Sequence, residues 1–133
     1  MGKGQETKRA ILGEALDLAS TVGLSGLTIG SLASATGMSK SGLFAHFRSK
    51  EQLQVQVLEE ARRRFIEVVM VPALKQPRGV PRLVAMMKNS LGNWENDLPG
   101  GCVFYAVAAE LDDQPGPARD YLIKTQTEQA ESI

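Results

Sequence analysis

Residues 27–47 run LTIGSLASATGMSKSGLFAHF, and this stretch decides the fold. Thr28 suits a helix N-cap, because its hydroxyl can accept from an amide of the first turn, and Ser31 lies three residues on. Ile29, Leu32, Ala33 and Ala35 give the helix that follows an apolar side. Gly37 ends it, since glycine accepts the left-handed backbone found just past helix ends. Ser39 can cap a second, short helix, Lys40–His46, and Phe47 follows it. Two short helices about such a turn form a helix-turn-helix over residues 28–47. This motif lays its second helix in the major groove of DNA while the first crosses the backbone.

The side chains suit that task. Thr28 and Ser39 stand at helix starts, where free amide N–H groups and the helix dipole favour a phosphate. Lys40 and Ser41 open the second helix, the end that meets base edges, and both supply donors. Lys50 follows at the head of the next helix, within reach of a phosphate. Each has a plainer reading. Thr28 and Ser39 can be caps alone, Lys40 and Lys50 solvated lysines, and His46 a structural hydrogen-bonder.

Outward from the motif the chain reads as helices. Residues 6–22 place Ala10, Ile11, Ala15, Leu18, Ala19 and Val22 at three- and four-residue steps, and Gly23 stops them. Ser49 caps a long helix from Lys50 to Val71, with Leu53, Val57, Leu58, Ala61, Phe65 and Val68 on one face. Pro72 is expected to end or kink it. Gln76–Gly79 is a loop. The next helix opens at Pro81, with an inner stripe of Val80, Val84, Met87, Leu91 and Trp94 or their neighbours. Asp97–Gly101 breaks the chain. Cys102–Leu111 is an apolar helix, chosen over a buried strand because no other segment could pair with it. Gln114–Pro117 breaks it again, and Ala118–Ile133 is the last helix.

Composition bounds the function. The chain has 133 residues, with 15 Lys+Arg against 15 Asp+Glu. A uniformly basic nucleic-acid coat is thereby excluded, but a local basic face is not. In residues 1–50, Lys3, Lys8, Arg9, Lys40, Arg48 and Lys50 stand against Glu6, Glu14 and Asp17, a net of +3, and the remainder carries −3. A basic front and an acidic back suggest a polyanion-binding module joined to a different unit. One Cys and one His exclude an internal disulfide and a His/Cys zinc cluster. The longest apolar runs, Val68–Val71 and Cys102–Ala109, fall far short of the ~18 residues of a membrane span. No signal-peptide core follows the polar N-terminus. The reading is a cytoplasmic protein, with no membrane and no cofactor. No nucleophile–base–orienter set, phosphate loop or metal-ligand spacing is present, so an enzyme is not expected.

Taken together, residues 7–53 resemble the N-terminal domain of TetR-family transcriptional regulators. The resemblance rests on Thr7–Leu12, Ala15–Leu18, Gly23-Leu24, Leu27–Ile29, Leu32-Ala33, Gly37–Phe47 and Ser49–Leu53, in order and in spacing. It implies an all-α protein of about seven helices. Residues 1–49 would form a three-helix DNA-binding domain, and 50–133 an incomplete helical domain for ligand binding and dimerisation. It also implies a homodimeric repressor on a palindromic operator, released by a small molecule. By position, Thr28 would hold a phosphate. Lys40, Ser41 and Gly42 would face base edges, Phe44, His46 and Lys50 the backbone, and Leu43 and Phe47 the core. Phe44 stands where the family commonly has Tyr, so a phenolic phosphate bond is absent. Gly42 and Ala45 offer little, so part of the operator would be read by shape.

The family's last two helices, which build its dimer interface, are not expected within residues 50–133. The alternative reading is therefore a shortened, non-repressing relative that binds DNA weakly or pairs with a full-length member. Candidate pocket residues are Met70, Met86, Met87, Trp94, Cys102, Phe104, Tyr105 and Tyr121, all of which could equally be core. Arg62–Arg64 after Glu59-Glu60 reads as a solvated helix face with internal ion pairs. Glu110, Asp112 and Asp113 read as a helix end running into solvent, although acids there oppose the helix dipole. Cys102 reads as an inert thiol rather than a reactive one.

Overall fold

The computed structural model describes residues 3–96 and 103–132, with side chains for all of these except 3, 93–96 and 103–106. Among the described residues there is no strand. Helices α1 (Lys3–Val22), α2 (Ile29–Thr36) and α3 (Lys40–Phe44) precede α4 (Lys50–Phe65). A π-helical turn, Ile66–Met70, carries α4 on into the short α5 (Val71–Ala73). Then come α6 (Val80–Asn96), α7 (Val103–Glu110) and α8 (Pro117–Glu131).

The caps form where the sequence places them. Thr28 accepts from Ser31 N, and Ser31 Oγ accepts in return from Thr28 N, closing a capping box. Ser39 accepts from Gly42 N, and Ser49 from Gln52 N. Gly37 turns the chain at φ 72° and gives its N–H to the Ala33 carbonyl. α3 is shorter than expected, ending at Phe44 rather than His46. After it the chain tightens, and the N–H groups of His46 and Phe47 both go to the Leu43 carbonyl, at 3.0 and 2.9 Å.

Pro72 lies at the end of its helix, as expected, and α5 stops at Ala73, one residue on. A proline has no N–H for the carbonyl four residues back, and its ring crowds that carbonyl. The π turn just before it provides the room, with Val71 N bonding Ile66 O one residue further back than in an α-helix. The Val69 carbonyl takes the Asn89 side-chain amide at 3.2 Å, which ties α6 to the turn.

One core joins α1, α2, α3, α4, α7 and α8. Leu16, Leu24, Leu27, Leu32, Leu43, Phe47, Leu53, Val57, Leu58 and Val107 are its largest fully buried members. A smaller cluster packs Val69, Met70 and Ala73 against Met86. The face of α6 differs from expectation. Met86 and Ala85 turn inward, while Val80, Val84, Met87 and Leu91 are exposed. Spacing identified an apolar stripe, but the side that packs is set by the π turn and its bond to Asn89.

Candidate DNA-binding surface and the adjoining cavity

Leu43 and Phe47 have no exposure, and they anchor α3 to the core. That anchoring turns Ser39, Lys40, Ser41, Phe44 and Ala45 outward. Phe44 is 50% exposed, in keeping with a surface kept for contact. Lys40 is exposed and runs along α2, its Cε 3.9 Å and its Nζ 4.0 Å from where a Cβ on Gly30 would stand. A Cβ on Gly42 would come 3.1 Å from Ser39 Oγ, so a larger residue there would press on the cap. Gly42 thus explains itself by packing as well as by any approach to DNA. His46 is half-buried, its ring 6.2 Å from that of Phe47. The Thr28 hydroxyl is engaged in the capping box and is only partly exposed. Lys50 is exposed and gives one donor to the Ser25 carbonyl at 3.2 Å. Lys8, from α1, lies over the Phe47 ring at 5.7 Å.

A cavity of about 400 Å³ lies between α4 with its π turn, α7 and α8. That size falls within the range of small-molecule sites. Phe65, Ile66, Met70, Leu74 and Ala108 give it an apolar bed. Arg62 and Glu128, paired with one another, stand at its edge. Of the expected pocket residues, Met70 lines this cavity. Met86 is in the smaller core cluster, Met87 is on the exposed face of α6, and Tyr121 packs half-buried against the main core. Trp94, Cys102, Phe104 and Tyr105 lie outside the residues whose side chains are described.

The basic run makes the internal ion pairs expected of it, Arg63 with Glu60 and Glu67 and Arg64 with Glu60, but it is not all solvated face. Glu60 is buried, and the Arg63 guanidinium grips it with two bonds of 2.7 and 3.0 Å while Arg64 adds a third. Arg62 reaches across to α8 instead. Glu110 is the second surprise. Its carboxylate accepts from the backbone of Leu24 at 2.9 Å and Ser25 at 2.5 Å, in the α1–α2 turn. No local pattern could have shown this, because the partners are 86 and 85 residues away. The one clue was an acid at a helix end where the dipole is unfavourable. Among the described residues no group of His, Cys, Asp and Glu is arranged to hold a metal.

Both acids titrate low. The hydrogen bond from Arg63 holds Glu60 below the usual carboxylate range, against the opposing effect of burial. Burial pushes Glu110 up, but the bonds from Ser25 and Leu24 and the charge of Lys50 outweigh it, and its pKa is lowered too. A carboxylate with a depressed folded pKa stabilises the fold fully above its unfolded value, about 4.5. That contribution is lost as pH falls through the folded value. The urea midpoint should therefore drop from about pH 5 downward, and Glu60→Gln or Glu110→Gln should flatten that drop. A midpoint that rises on acidification would contradict both assignments.

A helix-turn-helix with an exposed, cationic second helix, carried on a helical body with an apolar cavity, is the plan of a DNA-binding transcription regulator. Residues 11–57 match the family of bacterial regulatory proteins, tetR family, and residues 79–133 match the tetracyclin repressor-like C-terminal domain. A TetR transcriptional regulator of Chloroflexus aurantiacus is 30% identical, with a TM-score of 0.78; the alignment covers all of this chain and 68% of that one. AibR, solved in complex with isovaleryl coenzyme A and operator DNA, has the same fold with a TM-score of 0.77 at 24% identity, over 95% of this chain and 67% of that one. No curated protein matches. The chain belongs to the TetR family of transcriptional regulators. No described helix is long and apolar enough to cross a membrane.

Proposed function

We propose that the protein is a sequence-specific repressor, released from DNA by a small molecule that enters the cavity between α4, α7 and α8. The observation that carries this reading is the outward face of α3. Leu43 and Phe47 fix the helix from behind, and Lys40 and Ser41 stand exposed at its start, with the Ser41 hydroxyl 3.3 Å from that of Ser39. In this reading Lys40, Ser41 and Gly42 meet base edges. Thr28, Ser39, Phe44, His46 and Lys50 lie along the backbone. The cavity's apolar bed with one ion pair at its edge suits an amphipathic effector with a polar head. Operator DNA and an acyl-coenzyme A bound to AibR support the two partner classes. The protein would act in the cytoplasm, without catalysis, as two copies on a palindromic site.

The test uses the full chain and a duplex selected from a random pool. Affinity should fall linearly on a log–log plot against salt, with a slope of about −0.9 per phosphate contacted. Lys40→Ala should cost about 1–3 kcal/mol on the selected duplex and much less on unrelated DNA. Equal losses on both would remove Lys40 from base reading. Light scattering of the complex gives the copy number. A monomer with only weak, salt-sensitive binding would favour a non-repressing relative. The apolar stripe on α6, exposed in one copy, is the observation on that side.

A further inference from the structure

The α1–α2 turn is held from two sides. Its N–H groups at Leu24 and Ser25 go to the two oxygens of Glu110, on α7. Its carbonyls at Leu24 and Ser25 take the Gln54 amide at 3.1 Å and the Lys50 ammonium at 3.2 Å, both from α4. Gly23 serves this approach twice. It adopts φ 76°, and a Cβ there would stand 2.9 Å from Glu110 Oε2. The turn decides where α2 begins, and α2 carries α3.

α7 is a short rod with a different neighbour along each side. Ala108 lines the cavity, Val107 is fully buried in the main core, and Glu110 reaches the turn. Ala108 and Glu110 are two residue steps apart, a rise of about 3 Å. A helix moves as a unit over that distance. Bonds of 2.5 and 2.9 Å weaken steeply once stretched past about 3.5 Å, so a shift of about 1 Å in α7 is enough to release the carboxylate.

We propose that Glu110 is the positioning residue through which the cavity controls the helix-turn-helix: its carboxylate holds the α1–α2 turn in the DNA-competent position, and a molecule seated against Ala108 draws it away. This rests on the ligand-relieved repressor reading above. Glu110 touches neither DNA nor ligand. It links two sites by a pair of charge-assisted bonds that are either made or broken.

The test replaces the unidentified effector with a side chain that grows into the cavity. Four full-length proteins are compared: wild type, Glu110→Ala, Ala108→Leu and the double variant. Backbone amide exchange at Leu24 and Ser25 is read by NMR, and affinity is measured on the selected duplex. Glu110→Ala should strip protection from both amides and weaken duplex binding about ten-fold, within the usual span of coupling between sites. The salt slope should not change, because no phosphate contact is removed. Ala108→Leu should do the same on its own, and add less than about two-fold once Glu110 is gone. Additive losses would overturn the proposal, as would an Ala108→Leu protein whose Leu24 and Ser25 amides match wild type. If Ala108→Leu does not fold, Ala108→Val makes the same comparison with a smaller step. If no duplex is selected by wild type, the repressor reading falls, and the amide measurements alone decide whether the cavity reaches the turn.

Discussion

Phe47→Ala should lower the free energy of unfolding by about 3–5 kcal/mol, the cost of emptying a fully buried aromatic site. Phe47 has no exposure and closes the end of the helix-turn-helix against α1 and α4, in one cluster with Leu43 and Leu53. The void cannot be filled by collapse, because the N–H of Phe47 is fixed to the Leu43 carbonyl at 2.9 Å. Phe44→Ala, three residues away, is the control. Its ring is half in water, so the loss should stay below about 1 kcal/mol. The two variants separate the aromatic that builds the fold from the one turned outward. Urea unfolding of both at neutral pH gives the answer, and equal shifts in midpoint would mean that the inner and outer faces of α3 have been exchanged.

Val107→Asp should be more damaging, at about 4 kcal/mol or more at neutral pH. Val107 is fully buried in the main core and ties α7 to it. The substitution removes an apolar side chain and asks a carboxylate to ionise without a partner. The carboxyl should respond by staying protonated, with its pKa pushed up by burial. Its pH dependence then has the opposite sign to that of Glu60 and Glu110. A folded pKa above the unfolded one makes the variant's deficit relative to wild type shrink as pH falls. Val107→Ala separates the two parts, because it opens a void without adding charge. A Val107→Asp protein no less stable than Val107→Ala at pH 7 would show that α7 is not packed where it is described.

Local chemistry accounts for what could be read from the chain. Thr28 with Ser31, Ser39 with Gly42, and Ser49 with Gln52 are bonds across three residues, and each was visible as a capping residue at its proper spacing. Leu43 and Phe47 followed from the motif, and both are core. Apart from the early end of α3, the misreadings involve partners remote in sequence. The side of α6 that packs depends on how a π turn some twenty residues earlier presents Val69 to Asn89. Arg62 leaves its neighbours for Glu128, 66 residues on. Glu110 has no local reason to be where it is. Periodicity reveals that a face is apolar and a capping residue reveals a helix start. Neither carries information about which of two long-range partners wins.

The continuity of the main core has a bearing on exchange of parts between relatives. A graft joined at residues 49/50 would cut between α3 and α4, yet Leu53, Val57 and Leu58 of α4 belong to the same cluster as Leu43 and Phe47. Such a chimera would set a foreign α4 under a native reading helix, and every mismatch in volume would fall on the core beneath α3. The apolar packing thins further along, between Ala61 of the large cluster and Val69 of the small one. The π turn lies at that seam. Recombination there would keep α1 to α4 as one inheritable block, but it would part Glu110 from the turn it holds. Under the proposed function, a hybrid joined at the seam would read DNA like one parent and still be deaf to the effector of the other.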